Sequence, residues 1–311
     1  MRFATLAIIA FACTPSRNDG NPQQHDARIG SPHGDAFVPD AAPPDAPPDA
    51  LAMFCDALDI VLVIDNSQTM AAYQNNASQN AQALIGALDQ TGLSYRVGIT
   101  TASRNYTYYI ATPFGPSMVS MHGDSGRILE MAACGMTSRW INYTDPARAT
   151  KLACAVKQGS SGPSAQMPLG AMRDAFEARL ADNSNTGFHR SDALLGVVLL
   201  TDQEDCSYVQ SVTFMPGQTF CTDLMEPVDN YISFMDGFAN GRAHWAASVI
   251  ANTGTASCTS GLGVAKPATR LNVFATDVGA NGSSSTICTS DLASGLTQAM
   301  TSFAAACTRG T

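Results

Sequence analysis

The pentapeptide Asp65-Asn66-Ser67-Gln68-Thr69 carries a carboxylate and two hydroxyls at alternate positions. If it forms the tight turn from a strand into a helix, Asp65, Ser67 and Thr69 can face one point. All three offer hard oxygen ligands of the kind that suit Mg²⁺ or Mn²⁺. A second carboxylate, Asp202, ends the run VVLLTD. The same residues also have a purely structural use. Ser67 or Thr69 can cap a helix by accepting a backbone N–H, and Asp65 can end a strand and hold a turn. Glu204 and Asp205 extend the acidic cluster beyond Asp202. They read either as support for a cation or a Ca²⁺ site, or as a solvated acidic loop pinned by Cys206, and the second reading is favoured.

Other patterns point away from catalysis. Gly123-Asp124-Ser125-Gly126 is similar to the nucleophile loop of trypsin-like proteases, but Arg127 follows where that family has Gly. No His stands in the matching context, and no HExxH or GxSxG is present. His122, His189 and His244 are scattered singly, and Trp140 and Trp245 are expected in the core. A metal-dependent hydrolase would need a general base beside the ion, and nothing evident supplies one beyond Asp202 and its neighbours. No catalytic residue is assigned.

The elements that must position these groups are legible from hydrophobic patterning. LDIVLVID (58–65) and LLGVVLL (194–200) are continuous apolar runs suited to strands buried on both faces. Residues 69–90 carry apolar side chains at helical spacing, and 95–101 reads as a strand. Residues 104–143 mix aromatics, Gly and Pro and predict short strands and loops. Helices are predicted over 145–157, 168–180, 223–239 and 289–306, and strands over 245–251 and 271–276. Strands alternating with helices imply an α/β, doubly wound, mainly parallel sheet flanked by helices. Ligands of such sheets bind beyond the carboxyl ends of the strands, where Asp65 and Asp202 both fall.

The D-x-S-x-T pattern after an apolar strand, joined to LLTD much later, resembles the metal-ion-dependent adhesion site of von Willebrand factor A domains. The stretches GFHRSDALLGVVLLTDQEDCS (187–207), Pro168-Leu169-Gly170-Ala171 and STICTSD (285–291) resemble secreted lipoproteins of this kind in myxobacteria and related bacteria. The resemblance covers residues 55–307 and is least over 104–150. It implies a cation held by Asp65, Ser67, Thr69 and Asp202. The family's third loop usually supplies a Thr, and aligning the helix start puts Gln166 there, whose amide oxygen can still reach a metal directly or through water. Ser160 and Ser161 are alternative hydroxyls. The partner implied is a protein whose acidic group completes the shell of Mg²⁺ or Mn²⁺, with Ca²⁺ a further candidate. The substitution at Gln166 motivates a rival reading, a structural or assembly subunit with a vestigial site.

The N-terminus bears on where such a domain works. Residues 1–12, MRFATLAIIAFA, have one basic residue and an apolar stretch too short to span a bilayer, and Cys13 follows. This is similar to a bacterial lipoprotein signal over residues 1–13, with Ala10 where that pattern more often has Leu. Cleavage there would leave Cys13 acylated, and a nearby secretory cut would export the chain without the anchor. Residue 14 is Thr rather than Asp, and the resemblance to Gram-negative lipoproteins then implies sorting to the outer membrane. Residues 14–50, rich in Pro and Asp and including the isolated His25 and His33, read as a disordered tether, leaving 51–311 as the folded domain.

A net charge of −9 provides no basic field for nucleic acid. Apart from Cys13, eight cysteines remain with no CxxC pair, as expected of disulfides in an oxidising compartment. Terminal cysteines pair in some relatives, which implies Cys55–Cys307. Cys134–Cys154, Cys206–Cys221 and Cys258–Cys288 are expected to close local loops.

Overall fold

The first strand, β1 (Ala57–Ile64), is buried along its whole length, as a continuous apolar run requires. The computed structural model describes residues 55–208, 213–215, 217–218 and 221–309. The expected signal, Cys13 and the segment 14–50 lie outside the described residues.

After the Asp65 turn the chain forms α1 (Ala71–Gln79) and α2 (Ala81–Gln90), then β2 (Ser94–Thr101). The single helix expected over 69–90 is therefore divided. At the break, the Asn80 amide donates to Asn76 O at 3.0 Å and Asp291 Oδ1 at 2.7 Å. The irregular segment contains β3 (Tyr106–Thr112), β4 (Gly115–Met121) and β5 (Trp140–Asn142). Next come α3 (Arg148–Ala155), α4 (Pro168–Phe176) and α5 (Ala178–Ala181). The helix expected over 168–180 is interrupted at Glu177, whose ψ of −75° departs from helical values. The remainder is β6 (Ala193–Leu200), β7 (Thr213–Phe214), α6 (Val228–Phe238), β8 (Trp245–Ala251), β9 (Cys258–Ser260), β10 (Gly263–Ala265), α7 (Thr269–Asp277), β11 (Gly282–Thr286) and α8 (Ala293–Arg309).

Six strands form the central sheet in the order β11-β8-β6-β1-β2-β5. All neighbours pair in parallel except β2 and β5. The order reverses at β1, so the chain leaves in opposite directions on either side of the β1–β6 pair. Alternate residues of the buried strands serve two cores, as period-two geometry dictates. Leu58, Ile60, Leu62 and Ile64 pack with α1, α2, α3 and α8, whereas Val61, Val63, Val197 and Leu199 pack with α4, α6 and α7. Helices thus cover both faces of a mostly parallel sheet. Trp245 is in the core, as expected, while Trp140 is half-buried with Arg96 5.3 Å above its ring.

Residues 271–276, expected as a strand, lie inside α7. Leu271, Phe274 and Ala275 are buried at helical spacing, whereas Val273, which a strand would bury with Leu271, is exposed. The sixth sheet strand is instead β11, whose sequence GSSST carries no apolar signal.

Bridges join Cys55 to Cys307, Cys134 to Cys154, Cys206 to Cys221 and Cys258 to Cys288, the same four pairs expected from the sequence. Among the described residues, no helix is long and apolar enough to cross a membrane.

Candidate functional site

Asp65 sits immediately beyond β1, and its N–H donates to Leu200 O of β6 at 2.9 Å. Register then places Asp65 and the Thr201–Asp202 pair at adjacent strand ends, next to the reversal of strand order. Asp65 is fully buried, and both its oxygens are held. Oδ1 accepts from Ser67 N at 2.7 Å, and Oδ2 accepts from Thr201 Oγ1 at 2.6 Å and Gln203 Nε2 at 3.3 Å. These bonds fix the carboxylate's orientation. Burial still dominates and pushes its pKa up, against the bonds from Ser67, Thr201 and Gln203 that lower it.

Ser67 and Thr69 hydroxyls lie 3.4 Å apart. Neither side chain caps the helix that follows, so the capping alternative does not describe this turn. Ser67 is buried and Thr69 is exposed, so the group opens to solvent through Thr69.

Asp202 is 2% exposed, and its Oδ2 is buried with no hydrogen-bond partner. Its pKa is pushed up to about 6, first by burial and further by the neighbouring Asp65 charge, with the Thr69 hydroxyl and Lys266 opposing. Lys266 N also donates to Asp202 O at 2.8 Å, tying the segment after β10 to this strand end.

Gln166 is fully buried beside Asn66. Its Nε2 donates to Asn66 Oδ1 at 3.2 Å and Pro163 O at 2.7 Å, while Oε1 is left without a partner. The loop that carries it is drawn to the Asp65 turn by two further bonds. Gly162 N donates to Asn66 O at 2.9 Å, and Gln74 Nε2 bridges Asp65 O and Gly159 O at 2.8 and 2.9 Å. A Cβ at Gly162 would collide with the Asn66 side chain, so any larger residue would have to displace the Asn66 amide that Gln166 contacts.

The structure therefore gathers Asp65, Ser67, Thr69 and Asp202 and brings Gln166 against the same turn. Two buried acceptor oxygens lack a hydrogen-bond partner, Asp202 Oδ2 at the end of β6 and Gln166 Oε1 in the loop held against Asn66. The Asp65 carboxylate is already satisfied, so the acceptors left over for a hard divalent cation are those of Asp202 and Gln166. Sequence patterning missed the residues that hold this set, namely Gln74, Thr201, Gln203 and Lys266. For Gln74 a signal existed, because this polar side chain interrupts the buried helical face of Met70, Tyr73 and Ala77.

Glu204 and Asp205 belong neither to that set nor to a solvated loop. Asp205 is fully buried, accepts from Leu169 N in the first turn of α4 at 3.1 Å, and pairs with Arg270 Nε at 3.2 Å. Glu204 accepts from Arg270 N, in the first turn of α7, at 3.1 and 3.2 Å. Both carboxylates satisfy N–H groups that helices leave unpaired at their starts. Gly123–Gly126 is a structural turn, in which Asp124 Oδ2 accepts from Thr101 Oγ1 at 2.6 Å and Ser125 Oγ accepts from Asn105 N at 3.1 Å.

No family model matches the sequence, and no curated protein matches it. Among solved structures, proximal thread matrix protein 1 from the mussel byssus is similar at 12% identity and a TM-score of 0.41, covering 80% of this chain and 48% of that one. The pilus adhesin SpaC from Lactobacillus rhamnosus GG is similar at 10% identity and a TM-score of 0.43, covering 82% of this chain and 31% of its own. The pilus adhesin RrgA from Streptococcus pneumoniae follows at 13% identity and a TM-score of 0.31, covering 57% and 23%. The chain spans about half the mussel protein and less than a third of the adhesins. Overlaps this partial assign it no ligand and no partner.

Proposed function

We propose that this chain is an exported, non-enzymatic binding protein of the von Willebrand factor A type, which recognises a protein partner through a divalent cation. The observation that carries this reading is the pair of bare acceptors, Asp202 Oδ2 and Gln166 Oε1, beside the ordered Asp65-Ser67-Thr69 turn. The strand order and the position of the turn at its reversal support it. The proposed ligands are Asp65, Ser67, Thr69, Asp202 and Gln166, for Mg²⁺ or Mn²⁺ and less favourably for Ca²⁺. When bound, the ion would supply a positive centre for a carboxylate of the partner. The protein's own part is to hold Asp65 rigid through Thr201, Gln203 and Ser67 N–H, to keep Asp202 and Gln166 dry, and to leave Thr69 open to an approaching group. Cys13 is proposed as the lipid anchor at the outer membrane. Four disulfides support an oxidising compartment.

Calorimetric titration of the purified protein with Mg²⁺ and Mn²⁺, beside Asp65→Ala, tests the site. Saturable binding lost in the variant is expected. Absence of binding to the wild-type protein, with no partner or acidic peptide restoring it, would leave a metal-independent scaffold. That second reading has its own support, since Thr201, Gln203 and Ser67 already satisfy the Asp65 carboxylate.

A further inference from the structure

Between Arg104 and Asp124 the chain carries no Asp, Glu, Lys or Arg, although the protein has a net charge of −9. This uncharged stretch contains the whole β3–β4 hairpin. The charges at its foot are engaged. Arg104 reaches Asp174 through Nε and Nη2 at 2.7 and 3.1 Å, and Asp124 accepts from Thr101 Oγ1. Strand β7 pairs only with Thr107 and Tyr108 of β3. From Tyr109 outward, among the described residues, β3 and β4 pair with nothing but each other.

The free end of this ribbon carries apolar side chains on both faces. Antiparallel register puts Ile110, opposite Ser117, on one face, and Tyr109 and Ala111, opposite Met118 and Pro116, on the other. Ile110, Ala111, Pro113, Phe114, Pro116 and Met118 are exposed, Phe114 completely so. The turn that presents Phe114 is ordered. Thr112 Oγ1 accepts from Phe114 N at 3.3 Å and donates to Gly115 O, and Gly115 takes a φ of +109°, a left-handed value that suits glycine. The fold therefore holds a complete phenyl ring out in solvent at the tip of a neutral ribbon.

The two-faced pattern selects the occupant. A single protein surface would cover one face and leave the other wet, and it would look for a polar rim that this ribbon lacks. A lipid interface surrounds a ribbon from both sides and favours uncharged groups. The depth agrees. Three residue steps from Ile110 to Pro113, at about 3.4 Å each, give about 10 Å, the reach of an interfacial apolar face into the boundary between headgroups and acyl chains. Tyr108 and Tyr109 then lie at headgroup level, where aromatic rings bearing a hydroxyl settle. The outer edge of β4 has no strand beside it among the described residues, so its backbone groups need water or headgroups, and insertion stops at the interface.

We propose that the β3–β4 hairpin is a membrane-docking element that inserts Phe114, Ile110 and Met118 into a zwitterionic lipid surface. It offers no cation to an anionic headgroup, so anionic lipid gains nothing over neutral lipid. The element rests neither on the cation site nor on acylation at Cys13.

Flotation of the purified full chain with phosphatidylcholine vesicles, and with vesicles containing phosphatidylglycerol, tests this. The chain carries Cys13→Ser so that no acyl anchor contributes. Cofloatation is expected at millimolar phosphatidylcholine and should be no stronger with phosphatidylglycerol. Phe114→Ser should lower the partition coefficient by about tenfold, and Ile110→Ser with Met118→Ser by a similar factor. Val264→Ser, a change at an exposed apolar residue of β10, should leave it unchanged, as should Asp65→Ala. Phe114→Trp reports depth. Against the parent chain as background, its added indole should shift to the blue with vesicles and be quenched by brominated acyl chains. Thermal melts confirm that each variant is folded. No cofloatation, an unchanged partition in Phe114→Ser, or an indole that is neither shifted nor quenched would overturn the proposal. So would a dimer in sedimentation velocity that Phe114→Ser abolishes while vesicles capture nothing, since the hairpin would then join two copies of the chain.

Discussion

The hydroxyl of Thr201 donates to Asp65 Oδ2 across 2.6 Å, joining the ends of β1 and β6 at the point where strand order reverses. Both residues are fully buried. A hydrogen bond to a buried carboxylate is worth about 1.5–3 kcal/mol. Thr201→Val, which keeps the shape and removes the donor, should therefore destabilise the chelated protein by about 2 kcal/mol in urea melts. It should also weaken Mg²⁺ binding, because Asp65 loses the contact that orients it. A melt within about 0.5 kcal/mol of wild type would show that the contact contributes little.

Asp202 leads to the opposite expectation. Its Oδ2 is buried without a hydrogen-bond partner, and Asp65 adds a like charge. Removing the charge with Asp202→Asn should stabilise the protein in chelator by about 1–3 kcal/mol. The same change should abolish stabilisation by Mg²⁺ or Mn²⁺. For wild type at about 100 times the dissociation constant, that stabilisation is roughly 2.7 kcal/mol. Melts of both proteins with and without ion give four numbers. If Asp202→Asn is destabilised in chelator, Asp202 supports the fold through contacts that outweigh its desolvation.

Arg104 and Gly170 define a tight fit on the other side of α4. A Cβ on Gly170 would stand 2.6 Å from Arg104 Nη1 and 2.7 Å from its Cδ. The guanidinium cannot yield, because Asp174 and Tyr208 O hold it. Gly170→Ala should thus cost about 1–3 kcal/mol, despite the better helix propensity of Ala. Arg104→Ala should cost more, about 3–5 kcal/mol, since it removes the two-pronged cationic partner of the buried Asp174 carboxylate. A double variant Arg104→Met/Asp174→Leu should recover part of that loss.

How much of this was legible in the sequence depended on whether a residue acts through local spacing or through tertiary approach. The Asp65-Ser67-Thr69 turn and the strands before Asp65 and Asp202 are local patterns, and they could be read directly. Asp59 lies within the first apolar run, yet is buried because Arg190 Nε and Nη2 reach it at 3.0 and 2.7 Å. Nothing in either neighbourhood announces that pair. β11 escaped notice because GSSST has no apolar alternation. It is defined by backbone pairing to β8 and by contacts such as Ser285 Oγ to Gln298 Oε1 at 2.7 Å. The strand expected at 271–276 failed because a short apolar run fits either period. Burial of Phe274 and Ala275 with Leu271 decides for the helix. Glu204 and Asp205 read as a solvated loop only until α4 and α7 are placed with their first turns against them.

Asp236 gives a pH prediction away from the cation site. Hydrogen bonds from Arg242, foremost, and from Trp245 Nε1 at 2.8 Å hold its carboxyl below its usual 3.8, against partial burial. A depressed carboxylate pKa contributes stability that is fully present above 3.8 and is lost as pH falls through the lower, folded-state value. Asp236→Asn should therefore narrow the gap in stability between neutral pH and pH near 3, mainly by lowering the neutral value. Urea melts followed by circular dichroism at both pH values provide the test. An equal loss at both would mean that packing, not charge, accounts for the effect. Arg242 and Asp236 are each partly exposed, so the difference should also shrink in high salt.

The bridge between Cys55 and Cys307 separates itself from the others by what it closes. It spans 252 residues, whereas Cys206–Cys221 spans 15. In the chain-entropy account, a longer closed loop restricts the unfolded ensemble more, by an amount that grows with the logarithm of its length. Both cysteines of the long bridge are buried, and they fasten the entry to β1 against the end of α8. Replacing both with Ser should destabilise the domain by about 5–6 kcal/mol, against about 3 kcal/mol for the Cys206/Cys221 pair. The two losses also differ in kind. The short bridge closes the segment that follows Glu204 and Asp205, and Cys206 N donates to Gln166 O at 2.8 Å. Its removal should loosen the Gln166 loop and weaken Mg²⁺ binding, whereas loss of the long bridge should lower the melting temperature and leave the affinity of the folded protein unchanged. Paired melts and titrations on the two double variants separate these effects, and equal losses of affinity in both would show that the domain transmits strain from its termini to the cation site.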